Sequence, residues 1–200
     1  NMNILAIDTT DKLLNIAIGT EKKVIQKYKS DEPNIHSGKL IPFIDNVLKQ
    51  SRLKINDINL ICAASGPGSF TGIRIGLSAV KAICYSLNIP CLGISSLDIL
   101  ARGIKTNHEI CAAINARNNN VYYCKYKYIE NILTKITDYD IIDSAELLKT
   151  CNENTVQAGF LGNTEIDPEN IIKLGVERFS EAGENSWLTL KPLYLNSYGI

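Results

Sequence analysis

Short apolar segments separated by polar turns open the chain. Three of these segments, "NILAID", "LNIAIG" and "KVIQKYK", are rich in β-branched residues and predict three strands. In the next segment, "HSGKLIPFIDNVLKQSRL", the apolar residues Leu40, Ile44 and Val47 recur on one face, which predicts a helix. Pro42 places the start of its regular part near Leu40, or a kink there, because proline is tolerated only in the first turn.

Three further apolar segments complete the first half. "INLICAAS" is a continuous apolar run of the kind found in strands buried on both faces. "GIRIGLSAVKAICYSLN" repeats its apolar residues at helical spacing, and "CLGIS" predicts a short strand. Residues 2–95 therefore predict the order strand-strand-strand-helix-strand-helix-strand.

The second half repeats this order more loosely. "EICAAIN", "VYYCKYKY" and "ILTKIT" predict a three-stranded meander, followed by a helix at "SAELLKTC" and a strand at "VQAGF". The final helix, "DPENIIKLGVERF", has Asp167 as its N-cap and Pro168 in its first turn. The prediction is an α/β chain of two tandem βββαβα lobes, residues 2–95 and a smaller, trimmed lobe at 96–200, joined near residues 95–107. This order resembles that of the actin-like ATPase (ASKHA, ribonuclease H-like) fold.

Charge and composition exclude some functions. Lysine plus arginine equals aspartate plus glutamate at 21 each, so the chain lacks the basic stripe of a protein that holds RNA by itself. The short basic clusters at residues 22–23 and at Lys125 and Lys127 lie near acids and predict a solvated surface.

Cysteine usage and hydropathy bear on the compartment. None of the six cysteines forms a CxxC pair, and most lie in apolar runs. We therefore expect the cysteines to be buried as small hydrophobic residues, in a protein of a reducing compartment. The chain opens without a leader pattern and has no apolar run near the roughly 20 residues of a membrane span. We therefore expect a cytoplasmic protein without a membrane partner.

The stretch "SGPGSFTGIRIG", residues 65–76, looks like a phosphate-binding loop but fits neither common template. A Walker loop needs a lysine after its last glycine, and Gly72 is followed by isoleucine. The dinucleotide fingerprint needs a third glycine where Thr71 stands. Two interpretations stay open. Ser69 or Thr71 caps a helix whose N-terminus attracts an anion, or the small residues serve packing or partner docking, which we favour.

The glycine stretch also carries a family resemblance. "GPGSFTGIRIG" resembles the signature of the bacterial TsaB (YeaZ) family, a group with a Gcp-like (peptidase M22-like) domain. Supporting likenesses are "ILAIDTT" at the start, "HSGKLIPFIDNVL" in the first helix, "NAR" and "VYY" in the second meander, and "KPLYL" near the end. The likeness covers most of the chain and is weaker in the second lobe.

The resemblance implies a role in tRNA processing. TsaB proteins are non-catalytic partners of the related subunit TsaD and act with it and the ATPase TsaE. The complex transfers a threonylcarbamoyl group to A37 of tRNAs that read ANN codons. The resemblance further implies a homodimer when TsaD is absent, contact with tRNA only through the complex, and no cofactor of its own. It places the docking face on the first lobe's two helices, at Leu40, Ile44, Val47, Gly72, Arg74, Gly76, Ala79, Val80 and Ile83.

Metal and nucleophilic catalysis find little support. The catalytic relatives carry His-x3-His, whereas this chain has only His36 and His108, with leucine one turn after His36. We expect His36 to cap or abut the first helix and no metal to bind. Ser69 lacks the flanking glycines of a nucleophile elbow, so a catalytic triad is not expected.

ATP chemistry is the alternative function. Actin-like ATPases hold phosphates and magnesium with two acidic hairpins, and Asp8, Thr9 and Thr10 stand where the first would be. The second hairpin of the family reads "DAR" with a later glutamate, but this chain has Asn115 and Arg117 around Ala116, and asparagine again at position 120. These residues predict at most a vestigial ATP or ADP site, and a small actin-like phosphotransferase or hydrolase remains the rival interpretation. Asp8 is equally explained as the cap of its own turn.

One further departure lies near the end of the chain. Asn196 replaces the arginine of the family's terminal "PLYLR". The substitution bears on any polar contact that the arginine makes, and the fold does not depend on it.

Overall fold

The computed structural model describes residues 2–195, so Asn196 lies outside the described part of the chain. The elements of the first half are β1 (Ile4–Asp8), β2 (Asn15–Gly19), β3 (Val24–Lys29), α1 (His36–Gln50), β4 (Leu60–Gly66), α2 (Phe70–Leu87) and β5 (Cys91–Ser95). Those of the second half are α3 (Ser96–Arg102), β6 (Glu109–Asn115), β7 (Asn120–Ile129), β8 (Ile132–Lys135), β9 (Asp140–Asp143), α4 (Ser144–Lys149), β10 (Thr155–Gly159) and α5 (Pro168–Glu177).

The first sheet has the strand order β3-β2-β1-β4-β5 and is covered on both faces. β1 pairs antiparallel with β2 and parallel with β4, which in turn runs parallel to β5. Alternate residues of β1 explain its continuous apolar run: Leu5 and Ile7 pack towards α1 and α2, whereas Ile4 and Ala6 pack towards α5.

The second sheet has the order β10-β6-β7-β8, and β9 pairs with the other end of β7. Its inner face packs against α3 through Ala112, Cys124 and Tyr126. On its outer face, the buried Leu147 of the short helix α4 covers Cys111 and Val121. The chain therefore contains the predicted second, trimmed lobe, which has its own sheet and a short outer helix.

The packing crosses the predicted lobe boundary. α5 contacts all five strands of the first sheet, through buried residues such as Ile171, Ile172 and Leu174. Residues 186–195 also return to the first lobe, where Trp187 and Leu190 join the core and the Leu193 amide donates to the Ser65 carbonyl at 2.8 Å. The division after residue 95 therefore does not follow the packing. We use "first lobe" for β1–β5 with α1, α2 and α5, and "second lobe" for β6–β10 with α4.

Three local predictions need correction. Helix α1 begins at His36, four residues before Leu40, and continues through Pro42, whose ring lies on the exposed side. The predicted joint contains helix α3, whose apolar residues contact both sheets. Strand β9 (Asp140–Asp143) was not predicted, because two aspartates flank its two apolar residues and leave no alternating pattern. The Asp167 N-cap of α5 is confirmed, since its side chain accepts from the Glu169 amide.

Within residues 2–195, none of the helices combines the length and apolar character that crossing a bilayer requires.

Candidate functional site

The β1–β2 turn holds a buried carboxylate. Asp8 is fully buried, and its Oδ1 accepts from the Thr10 amide at 2.8 Å and the Thr10 hydroxyl at 2.7 Å. Its Oδ2 accepts from Asn15 Nδ2 at 3.1 Å. Burial raises the pKa of Asp8 above its usual value, and these hydrogen bonds offset only part of that effect. Asp8 therefore caps its own turn.

The glycine turn packs against this same hairpin. The Ser69 amide donates to the Thr10 carbonyl at 2.6 Å, and the Ser69 side chain caps α2 by accepting from the Gly72 amide. A Cβ on Gly72 would lie 1.9 Å from the Thr9 carbonyl oxygen, and one on Gly76 would lie 2.2 Å from Thr9 Oγ1. The stripe of small residues thus lets α2 approach the β1–β2 turn of its own chain.

The five residues predicted for a vestigial nucleotide site lie in two different environments. Asp8, Thr9 and Thr10 are buried, and the Thr9 hydroxyl donates to the Gly72 carbonyl at 2.7 Å. Asn115 and Arg117 are exposed and lie at the β6–β7 turn. The five residues therefore do not line one solvent-accessible cleft.

Most of the residues predicted for docking are buried. Six of them lie inside the first lobe and cannot form an exposed face: Leu40, Ile44, Val47, Gly72, Gly76 and Val80. The apolar periodicity of these six positions marks the side of each helix that faces the sheet. Arg74 is exposed, and Ala79 and Ile83 are partly exposed.

The exposed side of α2 carries a different stripe. It consists of the exposed residues that recur at helical spacing, namely Phe70, Arg74, Ser78, Ala82 and Tyr85. We call this set the α2 stripe. Phe70 and Tyr85 expose 54% and 73% of their surface, large fractions for aromatic residues. The Arg74 guanidinium lies 3.8 Å from the Phe70 ring centroid, and its Nε donates to the Tyr194 hydroxyl at 3.0 Å. Both ends of the stripe are therefore held in place, because Tyr85 also makes an edge contact with Trp187.

His36 lies at the start of α1, as expected for a histidine that abuts this helix. His36 is the first residue of α1, is buried, and its Nε2 lies 2.7 Å from the Asp11 carbonyl oxygen. Leu40, one turn later, belongs to the core. In the described part of the chain no three histidine, cysteine, aspartate or glutamate side chains group as metal ligands would.

Sequence reasoning missed a buried polar cluster where the lobes meet. Asp98 of α3 accepts from the Tyr126 hydroxyl at 2.7 Å and the Tyr139 hydroxyl at 2.8 Å, and pairs with Arg178 at 2.8 Å. We call these four residues the Asp98 cluster. Its carboxylate raises the pKa of Tyr126 beyond the effect of burial, because an anion beside the phenol disfavours phenolate. An aspartate within the apolar run "SSLDILA" was the available signal.

The chain is similar in sequence to known proteins. A family model described as "TsaD: tRNA N6-adenosine threonylcarbamoyltransferase" matches residues 22–187. The Bacillus subtilis tRNA threonylcarbamoyladenosine biosynthesis protein TsaB is 34% identical over 163 residues, 81% of this chain and 71% of that protein. The TsaB of Escherichia coli is 32% identical over 133 residues, 65% of this chain, so the match spans 57% of that relative.

Solved structures support the same fold. "YeaZ from Pseudomonas aeruginosa" superposes with a TM-score of 0.83 at 21% identity, covering 98% of this chain and 100% of that one. The predicted α/β fold with two lobes is confirmed, since the chain has two sheets and shares its whole fold with this structure. On the length of the family-model match and the identity to the Bacillus subtilis protein, the chain belongs to the TsaB (YeaZ) family of tRNA threonylcarbamoyladenosine biosynthesis proteins.

Proposed function

We propose that this chain is a non-catalytic partner subunit that docks on TsaD through the α2 stripe. In that complex it supports threonylcarbamoyl transfer to A37 of ANN-decoding tRNAs, with TsaE as a further member. Without TsaD, the same surface pairs two copies of the chain. The observation that carries the proposal is the row of exposed aromatic and small residues on α2.

The composition of the α2 stripe suits a protein interface. Phe70, Tyr85 and Arg74 belong to the residue types that contribute most at interfaces, while Ser78 and Ala82 leave room for a facing helix. Ile41 of α1 is another exposed apolar residue, 55% accessible, on a helix that contacts α2. Exposed apolar groups on one rigid element are what partner binding uses.

The placement of α2 supports docking as well. Gly72 and Gly76 bring the helix against the β1–β2 turn, and Ser69 caps it. The backbone of the stripe is thereby ordered before any partner arrives, which lowers the entropic cost of association.

The burial of Asp8 supports a role without chemistry. A phosphate-bound magnesium ion needs accessible carboxylate oxygens, and those of Asp8 are buried and hydrogen-bonded. We therefore expect no cofactor of its own and at most weak ATP or ADP binding. Magnesium-dependent ATP turnover that disappears in Asp8→Asn would instead support the actin-like enzyme.

Light scattering behind size exclusion, on the chain alone and mixed with its cognate TsaD, tests the proposal. We expect a homodimer alone and a 1:1 complex when TsaD is added. Ala82→Glu places a charge within the α2 stripe. It should weaken both the homodimer and the 1:1 complex at least about tenfold, because the apolar surface that faces the stripe cannot solvate the carboxylate.

Ala145→Glu is the matched control. Ala145 is also an exposed helical alanine, but it lies in the first turn of α4, where a negative charge is tolerated. It should leave both species intact. A persistent monomer that ignores TsaD, or equal loss of binding in the two variants, would contradict the proposed surface.

A further inference from the structure

Two cysteines meet on the outer face of the second sheet. Cys111 of β6 is buried with Ala113, Val121 and Leu147, and Cys151, two residues after α4 ends, packs on the same cluster. Cys151 is the one cysteine of the six that is not fully buried. One thiol of this pair is therefore open to a small solute, and its neighbour is not.

The Lys125 side chain lies close enough to Cys111 and Cys151 for its charge to act on both thiols. Lys125 stands directly opposite Cys111 across the β6–β7 pair. Its backbone amide and carbonyl bond to Thr137 and Ile136, away from β6. The pair is thus a non-hydrogen-bonded one, in which side chains approach most closely.

The ammonium itself is directed to the end of α4. Lys125 Nζ donates to the Thr150 carbonyl at 2.9 Å, next to Cys151, and pairs with Glu109 at 2.9 Å. Its side chain is only 13% exposed, so the solvated surface predicted for this lysine is wrong. A cation held this close stabilises a thiolate, and thiolate is the reactive form of cysteine.

We propose that Cys111 and Cys151 are a redox-active pair that a peroxide closes into a disulfide. The Cys151 thiolate attacks one peroxide oxygen, the O–O bond breaks, and the hydroxide released takes a proton to become water. The sulfur of Cys111 then attacks the sulfenic sulfur of Cys151. The S–S bond forms, the S–O bond breaks, and the departing hydroxide leaves as water with the proton of Cys111. Two thiols lose two electrons and the peroxide is reduced to two waters.

The order of the two thiols follows from their surroundings. Burial raises the pKa of Cys111 to about 12, so Cys111 remains protonated until its partner has reacted. The disulfide would join β6 to the end of α4, the one helix on this face of the sheet in the described structure.

A second cysteine pair provides an internal control. Cys84 and Cys91 are hydrogen-bonded neighbours in the first lobe, and each shifts the pKa of the other, but both belong to the core and neither is accessible to solvent. Peroxide should leave this pair reduced while Cys111 and Cys151 react.

The test exposes the full-length chain to hydrogen peroxide and follows intact mass and disulfide-linked peptides. We expect loss of two hydrogen atoms, a single linked peptide pair containing positions 111 and 151, and reversal by dithiothreitol. Cys151→Ser, at a partly exposed site where folding is not in question, should prevent the mass change.

Lys125→Met tests the ammonium. It should slow disulfide formation at least about fivefold without changing which cysteines are linked. The proposal is overturned if Cys151 is oxidised to sulfinic acid while Cys111 still alkylates, if the linked peptides join two chains, or if the Cys84–Cys91 pair reacts first. An unchanged rate in Lys125→Met overturns the role of the lysine.

Discussion

The two lobes share an order of elements but differ in how their sheets are covered. The first sheet lies between α1 and α2 on one face and α5 on the other, and its central strands β1 and β4 are wholly buried. Within residues 2–195, the second sheet has only the short helix α4 on its outer face, and its inner face depends on α3. The first lobe is thus closed by its own helices, whereas the second needs its neighbour.

A buried polar cluster joins the two lobes where they meet. The Asp98 cluster joins α3, β7, the segment before β9 and the end of α5. The Tyr126 and Tyr139 hydroxyls come from the second lobe, and Arg178 follows the helix that covers the first. One carboxylate therefore couples both lobes, and variants at it separate lobe folding from lobe attachment.

The largest effect is expected for Asp98→Ala. It leaves two hydroxyls and a guanidinium without their acceptor and should lower the free energy of unfolding by about 3 kcal/mol. That is the lower end for a buried ion pair, because the Arg178 side chain is 29% exposed. Urea denaturation measures the loss, and Asp138→Ala, at an exposed aspartate, should change stability by less than about 0.5 kcal/mol. Equal small effects would contradict the coupling role of Asp98.

Two helical glycines of the first lobe should respond to alanine substitution with opposite changes in stability. Gly72→Ala would place a Cβ 1.9 Å from the Thr9 carbonyl oxygen and should destabilise the protein by about 2–3 kcal/mol, through overpacking against backbone. Gly38→Ala meets no atom within 4 Å and should stabilise α1 by up to about 1 kcal/mol. Thermal unfolding of both variants gives the signs, and a neutral Gly72→Ala would show that α2 can move away from the hairpin.

The buried carboxylate of the first lobe predicts a pH dependence. The pKa of Asp8 in the folded chain is raised above its usual 3.8, so its contribution to stability is present below that pH and is lost as pH rises through the folded pKa. Asp8→Asn keeps an oxygen for Thr10 and cannot ionise. It should gain on the wild type as the pH rises above 3.8, by about 1.4 kcal/mol for each unit by which the pKa is raised.

Denaturant titrations at several pH values check this prediction. A variant that is less stable by the same amount at every pH would mean that the hydrogen bonds of the charged form outweigh the effect of burial.

The smallest loss of stability is expected for substitutions at two tyrosines of β7. The Tyr126 hydroxyl is buried and bonds Asp98 at 2.7 Å, whereas the Tyr128 hydroxyl lies 3.5 Å from the Arg102 carbonyl oxygen. Tyr126→Phe should cost about 1–1.5 kcal/mol, and Tyr128→Phe close to nothing. Chemical denaturation of the two variants makes the test, and equal costs would remove Asp98 as the stronger attachment point.

Periodicity predicted the elements of the first lobe well because each has a single buried pattern. β1 and β4 are continuous apolar runs, and α2 repeats Ile73, Leu77 and Val80 towards the sheet. The family resemblance placed a docking face on α1 and α2, but six of the nine residues named for it recur at apolar positions and face the core of the lobe. Exposure depends on what lies on the opposite side, which one sequence does not state.

Contacts distant in sequence could not be predicted from the sequence alone. Ser69 was recognised as a cap, but the hairpin at Thr9 that Gly72 and Gly76 face lies more than sixty residues earlier. Asp98 was overlooked because its partners Tyr139 and Arg178 belong to elements that only the tertiary fold brings together. Resemblance to a family supplied the candidate function, and the structure shows which of the predicted residues are exposed.

The return of α5 to the first lobe has a consequence for synthesis of the chain. Strands β1–β5 leave the ribosome first, but the face of their sheet formed by Ile4, Ala6, Leu60 and Cys62 stays uncovered until α5 is made. Residues 96–167 must be translated in between, which takes roughly 4–14 s at bacterial elongation rates. During that interval the nascent chain presents an apolar sheet face, and transiently exposed apolar surface of this kind favours aggregation.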